Sequence, residues 1–245
     1  MCNHYEPVID AATLASFIPL IDMDAIELWT KTNTRANSMV WPGYSAPIIM
    51  PTQEKLNGAQ YTVADARFGL IPKWVKPDAI GSFRGSTFNA RTETISQKPS
   101  FRDAWRKNQF CIIPAYSFFE PDWRTGKSID TKIERKDKKP IGIAGLWEEN
   151  QAGELSFTML TINAAEHPIM QNFHRPEKEK RSVVILPPAY YENWLSVTAS
   201  DAPLFFKEFP ADLFQTVPAK KGPSEPDILE LPISDEPTSN SGLEP

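Results

Sequence analysis

Apolar and polar positions alternate from residue 61 to 72 (YTVADARFGLIP), the period of a strand. Residues 109–120 (QFCIIPAYSFFE) are apolar almost throughout and predict a buried strand running into a loop. Two runs rich in β-branched and aromatic residues, 139–149 (KPIGIAGLWEE) and 155–164 (LSFTMLTINA), predict strands joined through a turn at Gln151–Gly153. Residues 181–188 (RSVVILPP) predict a further strand. Helical patterning covers 8–33, broken at Pro19, and the start of a short helix at 99–105. A last helix is expected at 188–196 (PAYYENWLS), and Pro99 and Pro188 each suit a first turn. Residues 37–54 are Pro-rich and read as irregular. Hairpin-type strands with scattered helices predict an α+β fold rather than a doubly wound parallel sheet.

Composition narrows the picture. A chain of 245 residues with 41% hydrophobic and 23% charged residues fits a globular protein with a full core. We expect one compact domain over 1–218 and a disordered, acidic, Pro/Ser-rich tail over 219–245. Two cysteines and three histidines give no zinc-ligand spacing, so no metal and no cofactor are expected. Cys111, inside an apolar run, reads as a buried free thiol. No apolar stretch approaches the length of a membrane span, and no leader pattern opens the chain, so a cytoplasmic location without membrane partners is expected. The net charge is −5. Lys220 and Lys221 against Glu225, Asp227, Glu230, Asp235, Glu236 and Glu244 place −4 of it in the tail. The near-neutral remainder can still present a local basic groove.

The candidate chemistry starts at Cys2, directly after Met1. Removal of Met1 would leave a terminal cysteine with an amine and a thiol on adjacent carbons. An aldehyde condenses with that amine, and the thiol then closes on the imine as a five-membered thiazolidine. With ordinary pKa values of about 8.5 for the thiol and about 7.7–8.0 for the amine, both are partly nucleophilic near neutrality. The terminal amine can also serve as base for its own side chain.

Four segments extend this reading: MCNHYE (1–6); FGLIPKW (68–74) with FNARTETI (88–95) and KPSFRDAW (98–105); CIIPAYSFFEPDW (111–123); and LTINAAEHPIMQNFHRPEKEKRSVVIL (160–186). Together they resemble the SOS response-associated peptidase (SRAP) family over most of residues 1–195. The resemblance implies a compact domain with an antiparallel, β-barrel-like core, peripheral helices and a basic groove. It implies binding of single-stranded DNA and covalent crosslinking of the terminal cysteine to abasic sites in the DNA damage response. It also implies removal of the leading Met, the source of the peptidase name. A monomer, nucleoid-associated when bound to DNA, is expected.

The resemblance assigns roles residue by residue. Cys2 is the nucleophile. Asn89 holds the cysteine and sugar by hydrogen bonds, although an Asn is ordinarily a turn residue. Glu120 is the general acid/base that imine formation needs. His174 acts on sugar ring-opening, with His167 the competing choice, because PEKEK separates His174 from Arg181 where the family is closer-spaced. Arg91 grips a phosphate beside the lesion. His4 stands where the family often carries Arg, and can replace that contact when protonated. Phe68 replaces a family Trp and can stack on a base. Trp74, Arg84, Arg102 and Trp123 are further groove candidates, Trp74 and Trp123 being equally suited to a core.

Two other functions fit the same residues. One is a cysteine-dependent peptidase or amidohydrolase using Cys2, Glu120 and His174. The other is a non-covalent nucleic-acid-binding module in which Cys2 is idle.

Overall fold

The computed structural model describes residues 2–33, 37–52, 58–83 and 85–219. Apart from Ala219, the expected acidic tail lies outside the described residues. Among them the chain forms one sheet-dominated body. The strands are β1 (Tyr5–Pro7), β2 (Ser45–Pro51), β3 (Tyr61–Phe68), β4 (Asn89–Arg91), β5 (Phe110–Asp122) and β6 (Ile129–Arg135). They continue with β7 (Ile141–Glu149), β8 (Leu155–Asn163), β9 (Arg181–Val183), β10 (Ile185–Leu186) and β11 (Phe214–Pro218). Helices α1 (Ala11–Ala15), α2 (Met23–Thr32), α3 (Arg102–Arg106) and α4 (Tyr191–Ser196) lie around the sheet.

The sheet runs β10-β7-β8-β3-β2-β5-β6-β11, with β5 also paired to β7. It is mixed rather than uniformly antiparallel, because β3 and β4 both run parallel to β8. The expected barrel-like closure is also incomplete. Strands β7, β8, β3, β2 and β5 pair in a circuit, but β2 meets β5 at the single register pair Ile49↔Ile112.

The apolar runs in the sequence are explained by burial on both faces. Along β5, Phe110 and Ile112 pack under the helices, while Cys111, Ile113 and Ala115 face an inner cluster. Strand β8 divides the same way, Leu160 and Ile162 outward and Phe157 and Met159 inward. Gly145 is required where these layers meet, since a Cβ there would lie 2.8 Å from the Thr158 carbonyl oxygen. The helices are locally encoded. Asp22 caps α2 by accepting from the Ala25 N–H at 3.0 Å, and Ile26 and Trp29 form its buried stripe.

Residues 37–54 are less irregular than their prolines suggest. Strand β2 crosses this stretch, paired along its whole length with β3. Its other flank is paired at one position only, so the missing N–H groups of Pro47 and Pro51 are tolerated there.

Candidate active site and groove

Cys2 reaches the site because the start of the chain is an antiparallel partner of β5. Tyr5 pairs with Phe118, and the Phe119 N–H donates to the His4 carbonyl at 3.2 Å. Continuing that register lays Cys2–Asn3 beside Glu120. The Cys2 thiol is fully buried in the inner cluster and donates to the His4 carbonyl at 3.3 Å. Asn89, on β4, donates its side-chain amide to the Cys2 carbonyl at 2.6 Å. Its own Oδ1 is buried without a hydrogen-bond partner among the described residues. Burial, and after it the charge of Glu120, pushes the Cys2 thiol well above its ordinary range.

Glu120 is buried near the end of β5, and its Oε2 lies 3.3 Å from His174 Nε2. Burial raises the Glu120 carboxyl to about 7 and lowers the His174 imidazole to about 4. A backbone hydrogen bond to Arg181 opposes the shift on His174. Burial thus disfavours the charged form of both groups. His174 adopts φ 62°, a left-handed conformation that a residue with a Cβ rarely takes. Its N–H donates to the Pro121 carbonyl at 2.9 Å. The Lys180 ammonium donates to three successive carbonyls, Phe173 at 2.9 Å, His174 at 3.3 Å and Arg175 at 2.9 Å. Those contacts hold the strained turn.

The other two histidines are occupied elsewhere. His167 is buried, with Nε2 donating to the Phe209 carbonyl at 2.8 Å and Nδ1 accepting from Ile169 and Met170 at 3.1 and 3.2 Å. It ties one loop to another. His4 is also buried and is stacked between Trp41 and Phe119, at centroid distances of 3.9 and 4.5 Å. Its ring nitrogens lie 2.7 Å from Asn3 Oδ1 and 3.1 Å from Asp130 Oδ2. The structure therefore turns His4 inward, away from any phosphate.

Beside the acid–imidazole pair opens a groove of about 350 Å³, lined by Arg91, Pro121, Trp123, His174, Arg175, Lys178, Glu179 and Arg181. Arg91 and Trp123, two of the residues singled out from the sequence, both line this groove. The Arg175 guanidinium lies 4.8 Å from the centre of the Trp123 ring. Phe68 does not line this groove. It is fully buried, stacked on Phe157 at 5.2 Å, and has no face to offer a base. Trp74 is exposed but lies outside the groove, its indole N–H donating to the Pro99 carbonyl at 3.2 Å. Arg102 sits on α3, 3.7 Å from Asp103, also away from the groove. Arg84 lies outside the described residues.

Sequence reasoning passed over Arg175, Lys178, Glu179 and Arg181 as groove residues. The signal was there in the charge run HRPEKEKR, which reads as a spacer until His174 is known to face Glu120. Arg181 is almost fully buried and holds Glu93 through two hydrogen bonds of 3.1 and 2.9 Å. Among the described residues, no cluster of three or more His, Cys, Asp or Glu side chains is placed to hold a metal ion. Nor is any helix among them long and apolar enough to cross a membrane.

The fold and site define a sheet-dominated domain that buries the Cys2 thiol near a carboxyl–imidazole pair, with the imidazole at the wall of a groove lined by Arg91, Arg175, Lys178 and Arg181. The sequence profile of the SOS response associated peptidase (SRAP) family matches residues 1–222, and the chain belongs to that family. Among its relatives is a Bacillus subtilis protein named abasic site processing protein YoqW. The two are 32% identical over 169 residues, 65% of this chain and 69% of the relative. A chicken (Gallus gallus) relative, abasic site processing protein HMCES, is 24% identical over 151 residues, 51% of this chain and 45% of its own. A crystal structure of a Bordetella bronchiseptica protein matches with a TM-score of 0.76 and 37% identity, covering 89% of this chain and 100% of that one. A Bacteroides thetaiotaomicron protein, at 23% identity and a TM-score of 0.73, shares the fold.

Proposed function

We propose that this protein binds single-stranded DNA as a monomer and crosslinks to abasic sites through Cys2, shielding them during the DNA damage response. It needs no metal or cofactor for this. The observation that carries the reading is the convergence of Cys2, Asn89, Glu120 and His174 from four distant stretches of chain, His174 also lining a groove that holds Arg91 and Trp123. The names of the YoqW and HMCES relatives support abasic-site DNA as the substrate class.

The chemistry follows from these groups. Met1 is first removed by hydrolysis of its amide bond to Cys2, freeing the α-amine. His174 and Glu120 assist opening of the abasic sugar, moving a proton from the anomeric hydroxyl and delivering one to the ring oxygen. The amine attacks the exposed aldehyde to give a carbinolamine. Glu120, with a carboxyl near 7, protonates the departing hydroxyl, and water leaves as the imine forms. The ionised Glu120 then takes the thiol proton as sulfur bonds to the imine carbon, closing the thiazolidine. Asn89 fixes the Cys2 carbonyl, and its spare Oδ1 accepts a hydrogen bond from the opened sugar or the amine. Arg91 binds a flanking phosphate, and Trp123 offers a stacking face.

The raised thiol pKa counts against the peptidase alternative in which Cys2 attacks peptides as a standing thiolate. It suits a thiol called upon only after an imine has formed. Intact mass spectrometry tests the proposal. The mature protein should lack Met1, and incubation with an abasic oligonucleotide should give the sum of the two masses less one water. Active protein that retains Met1 would overturn the thiazolidine route. Tight binding with no adduct would leave the non-covalent module as the function.

A further inference from the structure

Glu179 occupies a position suited to a ligand's anion. Its Oε2 lies 2.7 Å from Arg91 Nη1, and its Oε1 accepts from Arg181 Nη1 at 2.7 Å and from Asn163 Nδ2 at 3.3 Å. One carboxylate therefore bridges two guanidinium groups, as a phosphate would.

The two arginines depend on it differently. Arg181 is buried, and Glu93 and the Thr161 carbonyl already satisfy it, the latter at 2.6 Å. Arg91 has a side chain 48% exposed on the groove wall, and Glu179 is 36% exposed. An ion pair this open to water is weak and exchangeable. Arg181 hydrogen bonding keeps the Glu179 carboxyl below the usual range, so it is an anion throughout the neutral region. Lys180 fixes the turn just before it, which keeps the carboxylate close to the groove.

We propose that Glu179 is a built-in competitor for phosphate at Arg91, so that the groove takes up a nucleic-acid backbone by exchanging a carboxylate for a phosphate. This rests on the reading of the groove as a DNA site. When a phosphate enters, the Glu179–Arg91 contact opens while the Glu179–Arg181 contact stays, so the carboxylate remains in place to reclaim Arg91. Reversible binding to undamaged DNA is thereby held low. Long residence is left to the covalent bond, which forms only where an aldehyde exists.

The test is fluorescence anisotropy of a short labelled oligothymidylate with no abasic site, titrated at several salt concentrations. Wild type, Glu179→Gln, Arg91→Ala and the double variant are compared. Glu179→Gln keeps the shape and removes the charge, and Glu179→Ser serves as a second neutral variant should Gln disturb the loop. Both should bind roughly three- to tenfold more tightly at low salt. The slope of log affinity against log salt should steepen by about one phosphate contact. In the Arg91→Ala background the gain should largely vanish. An unchanged or weakened affinity in the neutral variants overturns the inference, because Glu179 would then be inert or would be positioning Arg91. An equal gain with and without Arg91 also overturns it, leaving general charge in its place. If wild type and every variant fail to bind the oligothymidylate at low salt, the DNA reading of the groove fails, and the competitor falls with it.

Discussion

Asn89 donates its side-chain amide to the carbonyl oxygen of Cys2 at 2.6 Å, joining β4 to the first residues of the chain. The bond is buried and holds the amino end beside Glu120. Asn89→Ala should leave that carbonyl unpaired, at a cost of about 1–3 kcal/mol in unfolding free energy. It should also slow adduct formation with abasic DNA by at least tenfold, with affinity for undamaged DNA unchanged. Single-turnover gel assays beside anisotropy separate the two effects. A parallel loss of affinity would place Asn89 in the DNA-binding wall.

Cys2→Ala should eliminate the denaturation-resistant adduct and leave reversible DNA binding intact. On the proposed mechanism the thiol closes the ring, whereas the groove cations supply affinity. A stable adduct in the alanine variant, surviving without borohydride trapping, would show that the thiol is not part of the final linkage.

The Glu120–His174 pair should leave opposing marks on the pH dependence of stability. Glu120 has its folded-state value raised to about 7 from an unfolded value of about 4.3. Its stabilising contribution is full below the unfolded value and is lost as pH rises to 7. His174 is lowered to about 4 from an unfolded value of about 6.5. Its contribution is full above 6.5 and is lost as pH falls to 4. Between about pH 4.5 and 6.5 the two oppose one another. Glu120→Gln should therefore gain stability relative to wild type as pH rises from 4.5 to 7, by up to a few kcal/mol, and then level off. Urea unfolding at stepped pH reads this directly, and a pH-independent difference would mean that Glu120 is not perturbed in the folded protein. In the same variant, crosslinking should slow by roughly 10²–10⁴-fold if Glu120 carries the proton transfers.

The three histidines should separate by phenotype. His4→Ala removes the ring stacked between Trp41 and Phe119 and should cost about 2–3 kcal/mol without weakening DNA binding. His167→Ala should be similarly destabilising, because the Phe209 carbonyl and two backbone N–H groups lose their partner. His174→Ala should cost about 1–3 kcal/mol, since the mostly buried ring beside the Glu120 carboxyl is lost and alanine gains nothing at a left-handed backbone. It alone should slow the chemistry in protein that is fully folded by circular dichroism.

The strands and the chemical residues differed in how readily the sequence revealed them. Strands β3, β5, β7 and β8 stand out because their apolar content is dense and periodic. Strand β2 was hidden by prolines that its sparsely paired flank accommodates. The short strands β1 and β4 and the β6–β11 pair carry too few apolar residues to announce themselves, yet β1 and β4 deliver Cys2 and Asn89. The motifs single out Cys2, Asn89, Glu120 and His174 because each fixes a residue type at a fixed place, and the structure brings these four side chains together. The groove lining could not be named that way. His4 shares its residue type with His174, and Phe68 its aromatic character with Trp123, and only the direction of each side chain separates the core from the wall. Arg175 and Lys178 were passed over for the opposite reason: charged residues in a loop look alike until something nearby gives them a direction.

Strand β1 has a kinetic meaning as well as a static one. Its pairing with β5, and the Asn89 contact, join the extreme amino end to segments synthesised much later. On the ribosome, Cys2 emerges before Asn89 and the β5 residues that hold it are made. On the proposed mechanism, a nascent or misfolded chain carries the same cysteine but no catalytic setting for it. Capture of aldehydes at full rate then begins only when the sheet has closed over the amino end, so the protein's reactivity doubles as a check that its folding is complete.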